Sequence, residues 1–246
     1  MNCSQGIRRI ATVVMVAITL LCQCAGQQPC SAEIKVLLAP KQADQAKAAL
    51  QAGLPVTGHV YLYDTDTLEL LAHGIVVRVR TGFASDLMVK LREHDPKTQL
   101  GAERGDPRIK CEVDWSGDHG VRSYSAEVDF RGEPPQAGPE LAEYLTAAQI
   151  ELLVQSKAAV DWSKVKRKAE IRATRWAIRG QAGIARLSLE RWQWTGGEAL
   201  EVSARAGVED LAGFDARLQE LMAAKHLALN PSQEMKTTLA LGVPAK

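Results

Sequence analysis

From residue 31 onward the chain alternates apolar and polar positions in short runs. Nine runs combine this period of two with β-branched side chains, and each predicts a strand: 31–38, 58–63, 75–80, 87–92, 109–115, 122–129, 166–178, 184–194 and 199–205. Three stretches change to helical spacing. The first, 41–52, is closed by Gly53 and Pro55. The second, 139–155, carries Leu141, Leu145, Ile150 and Leu153. The third, 209–226, carries Leu211, Phe214, Leu218, Leu221 and Met222. Residues 132–139 hold Pro134, Pro135 and Pro139 and divide two halves without forming a flexible linker. No period of solenoid length recurs. The pattern predicts an α+β fold dominated by antiparallel strands.

The strands differ from ordinary half-wet strands in what shares a face. Positions i and i+2 point the same way. Glu33 and Lys35 therefore share a face, as do Arg78 and Arg80, Lys90 and Arg92, and Lys110, Glu112 and Asp114. Arg186 shares one with Glu190, and Glu201 with Arg205. The opposite faces carry Ile34, Val36, Val77, Val79, Leu87, Val89, Leu91, Leu187, Leu189, Leu200 and Val202. Two arrangements satisfy this pattern. The charges line the wet side of an open antiparallel sheet, or they line the bore of a closed barrel whose outside is apolar. Alternation alone favours the wet face, but Arg, Lys and Glu dominate the charged faces where Thr, Ser and Gln would be usual, which weakens that reading and admits the bore. A bore rich in Arg and Lys focuses positive potential on a multiply charged anion. Acids beside it could hold a hard divalent cation.

The N-terminus has a different grammar. Arg8 and Arg9 precede an apolar run from Ile10 to Leu21, followed by the small residues Ala25 and Gly26. The run is shorter than the roughly 17–25 residues of a membrane span and matches a secretory signal peptide over residues 1–26. A membrane anchor is the lesser alternative, and a lipid-modified Cys22 or Cys24 lacks the preceding small-residue box. Export to the periplasm or outside the cell is the expectation, with no stable membrane span left in the mature chain. Loss of the leader leaves Cys30 and Cys111 of five cysteines. In an oxidising compartment these two either pair or remain thiols.

Composition narrows the functions. Of 246 residues, 46% are hydrophobic and 24% charged, enough for a substantial core, and the formal charge is +1. That balance argues against nucleic-acid binding driven by overall charge, and an aromatic share of 5% argues against base stacking. P-loop, H-E-x-x-H and G-x-S-x-G motifs are absent. The five histidines are scattered, and Trp176, Trp192 and Trp194 are expected to pack helices against the strands.

The order of segments resembles the CYTH domain, the triphosphate-tunnel family. Ser31-Ala32-Glu33-Ile34-Lys35 matches its opening E-x-E-x-K strand. Tyr63-Asp64-Thr65 matches a characteristic turn, followed by Gly74 and the Arg78-x-Arg80 pair. Lys90 and Arg92, then Glu112 and Asp114, then Arg175-Trp176, and finally Lys236-Thr237 fall in the family's order. The resemblance covers nearly all of the mature chain, a single domain over residues 31–243, and looks like an uncharacterised bacterial branch. It departs from the pattern at Ser31 and Ser203, which stand where acids belong.

The resemblance implies an antiparallel β-barrel tunnel with helices packed outside. It also implies phosphate contacts from Lys35, Arg78, Arg80, Lys90, Arg92, Arg175 and Lys236. Glu33, Glu190 and Glu201 would hold Mg²⁺ or Mn²⁺, and no catalytic residue is assigned. The implied ligand is a small phosphorylated anion: triphosphate, polyphosphate or a nucleotide. The expected activity is metal-dependent hydrolysis of that anion. The alternative is a non-catalytic phosphate-binding protein, for which Ser31 and Ser203 speak. Adenylate cyclase chemistry is the weakest reading, because ATP is scarce outside the cytoplasm.

Overall fold

The computed structural model describes residues 30–93, 108–117 and 119–242. The expected signal peptide over residues 1–26 lies outside them, as does His94. Nine strands close into one barrel: β1 (Ser31–Leu38), β2 (Pro55–Asp64), β3 (Ile75–Gly82), β4 (Asp86–Arg92), β5 (Ile109–Ser116), β6 (His119–Asp129), β7 (Lys166–Gln181), β8 (Ile184–Trp194) and β9 (Gly197–Ala206). Their order around the barrel is β1-β5-β6-β4-β3-β2-β7-β8-β9, and β9 returns to β1.

The barrel is mixed rather than wholly antiparallel, because β1 and β5 run parallel. The other eight seams are antiparallel. Residues remote in sequence meet at the parallel seam, where Glu33 lies beside Asp114 and Lys35 beside Ser116. A disulfide between Cys30 and Cys111 ties the start of this seam, with Cα atoms 4.6 Å apart. The pairing alternative left open by the sequence is the one adopted.

The apolar faces point outward. One cluster joins Ile34, Val36, Leu189, Leu200 and Val202 to two helices, α1 (Ala43–Ala49) and α5 (Leu211–Ala224). A second joins Val77, Val79, Leu87 and Val89 to α2 (Glu69–Ala72), α3 (Gly138–Ala142) and α4 (Ala147–Gln155). The outer wall is thus the core, and burying it against helices frees the inner wall for polar groups. A smaller apolar cluster inside contains Val60, Leu62, Val76, Met88, Ile171 and Trp192. Ala240, from the last helix α6 (Lys236–Ala240), packs on it.

The predicted helix over 139–155 is two helices. Thr146 interrupts it with a reciprocal cap: its backbone N donates to Gln149 Oε1 at 2.9 Å, and Gln149 N donates back to Thr146 Oγ1 at 3.4 Å. Gln149 also donates through Nε2 to the Leu87 carbonyl at 2.8 Å, which ties α4 to the barrel. The helix over 209–226 begins as a 3-10 turn, and Asp210 Oδ1 accepts from Gly213 N at 3.1 Å to start α5. No helix among the described residues is long and apolar enough to cross a membrane.

Candidate functional site: the ion-lined bore

Directly paired residues in adjacent strands share a face, so the registers state what lines the bore. Glu190 opposes Arg175 and Glu201. Lys35 opposes Ser203, and Lys90 opposes Ser125. The result is a cavity of about 920 Å³. All ten candidates named from the sequence line it: Lys35, Arg78, Arg80, Lys90, Arg92, Arg175 and Lys236 among the bases, Glu33, Glu190 and Glu201 among the acids. The lining holds nine basic side chains against five acidic ones, so it is net positive.

The charges are organised in three groups. In the first, Asp114 is almost completely buried between two lysines. Lys35 Nζ donates to its Oδ1, and Lys90 Nζ to its Oδ2 at 3.0 Å. Lys35 also reaches Glu33 at 3.1 Å, and Lys90 reaches Glu112 at 3.0 Å. Burial resists ionisation of Asp114, but the two ammonium groups outweigh it and hold its carboxyl well below the usual range. Burial also disfavours the Lys35 charge, yet Asp114 and Glu33 raise its pKa above the ordinary lysine value.

In the second group, Lys236 enters from α6. It donates to Glu190 and lies 2.8 Å from Glu201 Oε1, with its ammonium 4.8 Å from the centre of the Trp192 ring. Against the cost of burial, Lys236 pulls the Glu190 pKa down to about 2. Glu201 goes the other way: burial dominates and raises it despite Lys236.

In the third group, Arg80 Nε donates to both Asp86 oxygens at 3.0 and 2.9 Å. Arg78 lies 3.6 Å from Glu127, a longer contact. Burial and the neighbouring Arg80 charge lower the Arg78 pKa to about 10. The Nε atoms of Arg78 and Arg92 are buried without a hydrogen-bond partner among the described residues. A buried donor left unpaired costs about 1–3 kcal/mol, and an anion in the bore would supply its acceptor. Arg175 Nε donates to Ser188 Oγ at 2.7 Å.

The three glutamates named as metal ligands do not form one cluster. Glu190 and Glu201 are cross-strand neighbours, whereas Glu33 groups with Glu112 and Asp114, their carboxylate oxygens within 4.8 Å of one another. The β1–β9 register is the reason. Glu33 opposes Arg205, four residues along β9 from Glu201, a displacement of about 13 Å at strand rise. Both groups offer hard oxygens of the type Mg²⁺ or Mn²⁺ prefers, so the donor chemistry fits a divalent ion. Ser203 lies opposite Lys35 within the bore, while Ser31 is exposed at its rim.

The sequence reading omitted Asp114, Glu112, Asp86 and Glu127 from the site, along with Arg186 and Arg205 of the lining. For Glu112, Asp114, Arg186 and Arg205 the signal was present, since each shares strand parity with another charged residue. The tryptophans need correction. Trp176 packs outside beneath α1, as expected. Trp192 and Trp194 belong to the inner cluster, because they keep the parity of Glu190 along β8.

No family model and no curated protein matches the sequence. Solved structures do. A Hippeastrum protein, described as a candidate adenylyl cyclase with a dominant triphosphatase activity, superposes with TM-score 0.58 at 17% identity over 87% of this chain and 99% of its own. A candidate adenylate cyclase from Bacillus halodurans gives 0.57 at 15% identity over 86% and 98%. Together with the closed nine-stranded barrel and its charged bore, these likenesses assign the chain the CYTH fold, the triphosphate-tunnel barrel.

Proposed function

We propose that the protein binds a triphosphate or polyphosphate anion in this bore and hydrolyses a phosphoanhydride bond with the help of Mg²⁺ or Mn²⁺. The observation that carries the reading is the excess of basic over acidic side chains along the bore, with the Arg78 and Arg92 Nε donors unpaired among the described residues. Lys35, Arg78, Arg80, Lys90, Arg92, Arg175 and Lys236 bind and orient phosphate oxygens, the arginines through paired N–H groups. Either Glu33 with Glu112 and Asp114, or Glu190 with Glu201, would hold the cation, which when bound would supply charge neutralisation and an activated water. The protein's own contribution is positioning and preorganised charge. The triphosphatase activity described for the Hippeastrum protein supports this choice of chemistry. The signal-peptide pattern over residues 1–26 supports export of this activity from the cytoplasm.

A second reading has its own observation. Ser31 and Ser203 replace acids of the family pattern, and Lys35, Lys90 and Lys236 already engage the remaining bore acids. On that reading the protein binds polyphosphate without cleaving it. Phosphate release from inorganic triphosphate, measured with and without Mn²⁺, separates the two. Metal-dependent release supports the hydrolase. Tight triphosphate binding with no release under either condition supports the binding protein.

A further inference from the structure

One strand of the barrel brings no charge to the bore. Every other strand contributes at least one charged lining residue, from Glu33 on β1 to Arg205 on β9. β2 and the residue before it contribute Leu54, Val56 and Val60. Its single histidine, His59, lies on the opposite parity, 3.9 Å from Glu170. The neighbouring seam repeats the pattern: Val60 opposes Ile171, and Gly58 opposes Ala173. At Gly58 the missing side chain has a use. A Cβ there would stand 2.2 Å from the Thr81 carbonyl oxygen and 2.7 Å from Phe83 Cδ1, so glycine admits both the close β3 backbone and the Phe83 ring, which lines the bore. The apolar strip runs from floor to mouth and ends in water, where Leu54 is 91% exposed and Val56 50%. Arg175 opposes Val56, and Arg80 opposes Val60. A basic edge therefore flanks the strip on both sides.

A bare polyphosphate gains nothing from this wall, since a charged chain laid on carbon loses hydration without a partner. A nucleobase would find one ring to stack on in Phe83, but Leu54, Val56 and Val60 offer only carbon to its polar edges. We propose that the ligand is an amphiphilic phosphoester, linked phosphates esterified to an aliphatic group. Its phosphates lie along the arginine side, and its hydrocarbon lies on Leu54, Val56 and Phe83. This rests on the reading of the bore as a polyphosphate site and names the substrate class it selects.

The test compares methyl triphosphate with hexyl triphosphate, which carry equal charge, by calorimetry on the full chain. The hexyl ester binds at least about tenfold more tightly, because several methylenes leave water on the strip. In the Leu54→Ser/Val56→Ser double variant that ratio falls to about one; both side chains are exposed, so its melting temperature stays close to that of the parent. Equal affinity for the two esters, or a hexyl preference unchanged in the variant, overturns the proposal and leaves the polyphosphate reading standing. ATP binding more tightly than the hexyl ester, with that advantage lost in the variant, overturns the aliphatic assignment in favour of a base. If neither ester nor inorganic triphosphate binds, the polyphosphate reading fails and takes this proposal with it.

Discussion

Two groups of carboxylates face the same bore and are neutralised differently. Around Asp114, both lysines rise from strands: Lys35 on β1 and Lys90 on β4. Around Glu190 and Glu201 the shared lysine comes from the five-residue helix α6. Strand-borne lysines are fixed by ladder hydrogen bonds on both sides of the strand and cannot leave without opening the barrel. A lysine on a short terminal helix has no such constraint. Asp114 and Glu190 are both held below their ordinary values by their lysines, whereas burial keeps Glu201 above its own despite Lys236. Lys35 and Lys90 are thus carried by the barrel wall itself, and Lys236 by a helix outside it.

Breaking the first group has the largest expected effect. Asp114→Asn leaves two buried ammonium groups short of a partner and costs about 3–5 kcal/mol of stability. Urea unfolding at pH 7 measures it, and added triphosphate restores part of the loss by satisfying the same lysines. A change below about 1 kcal/mol would place Asp114 among ordinary surface pairs.

Next is Arg78, whose charge is crowded by Arg80 and loosely partnered. Arg78→Ala weakens triphosphate binding by about 2–4 kcal/mol in the manner of a buried charged contact. The ligand-free melting temperature holds or rises. Equal triphosphate affinity in variant and parent, with equal salt dependence, would return Arg78 to a wet sheet face.

Lys236→Met tests the second group. With its counter-ion gone, the Glu190–Glu201 pair attracts Mn²⁺ more strongly, a gain of about tenfold or more in affinity read by titration. The Glu190 pKa climbs from about 2 toward 4.5. Unchanged Mn²⁺ affinity would equalise the two groups. The companion change, Ser31→Glu with Ser203→Glu, restores the missing acids. It increases the metal dependence of phosphate release by a smaller factor, because Ser31 lies at the exposed rim.

The smallest effect is on acid stability. Asp114 and Glu190 sit below their ordinary values, so the unfolded chain binds more protons than the folded one. Their stabilisation is complete above the ordinary values of 3.8 and 4.5, and is lost as pH falls through the folded values. Glu201, raised by burial, has the opposite sign and gains stability on acidification. Glu201→Gln therefore makes the urea midpoint fall more steeply between pH 6 and pH 3, a range set by ordinary carboxylate values. A shallower fall would show that Glu190 and Glu201 do not titrate with opposite sign.

Much of the bore was legible because strand parity is a local property. Arg78 and Arg80 must share a face whatever sheet they join, and so must Lys90 and Arg92. The Asp114 centre was less legible. Its lysines lie 79 and 24 residues away in sequence, and parity on one strand says nothing about which strand lies beside it. The break at Thr146 was missed for a related reason: apolar spacing continues across it, and the competing signal is a side-chain-to-backbone bond plus the Gln149 bond to β4.

Alternation determined which residues lie on the charged face and which on the apolar face, since every second side chain of a strand points the same way. Those choices are carried by each strand alone. Tertiary structure decided that the charged faces turn inward, because two apolar outer faces found helices to cover them. It also decided the parallel β1–β5 seam, closed by the Cys30–Cys111 bond, which places Glu33 beside Asp114. Finally, it separated Glu33 from Glu201, because register between strands is set by long-range pairing that no local pattern encodes.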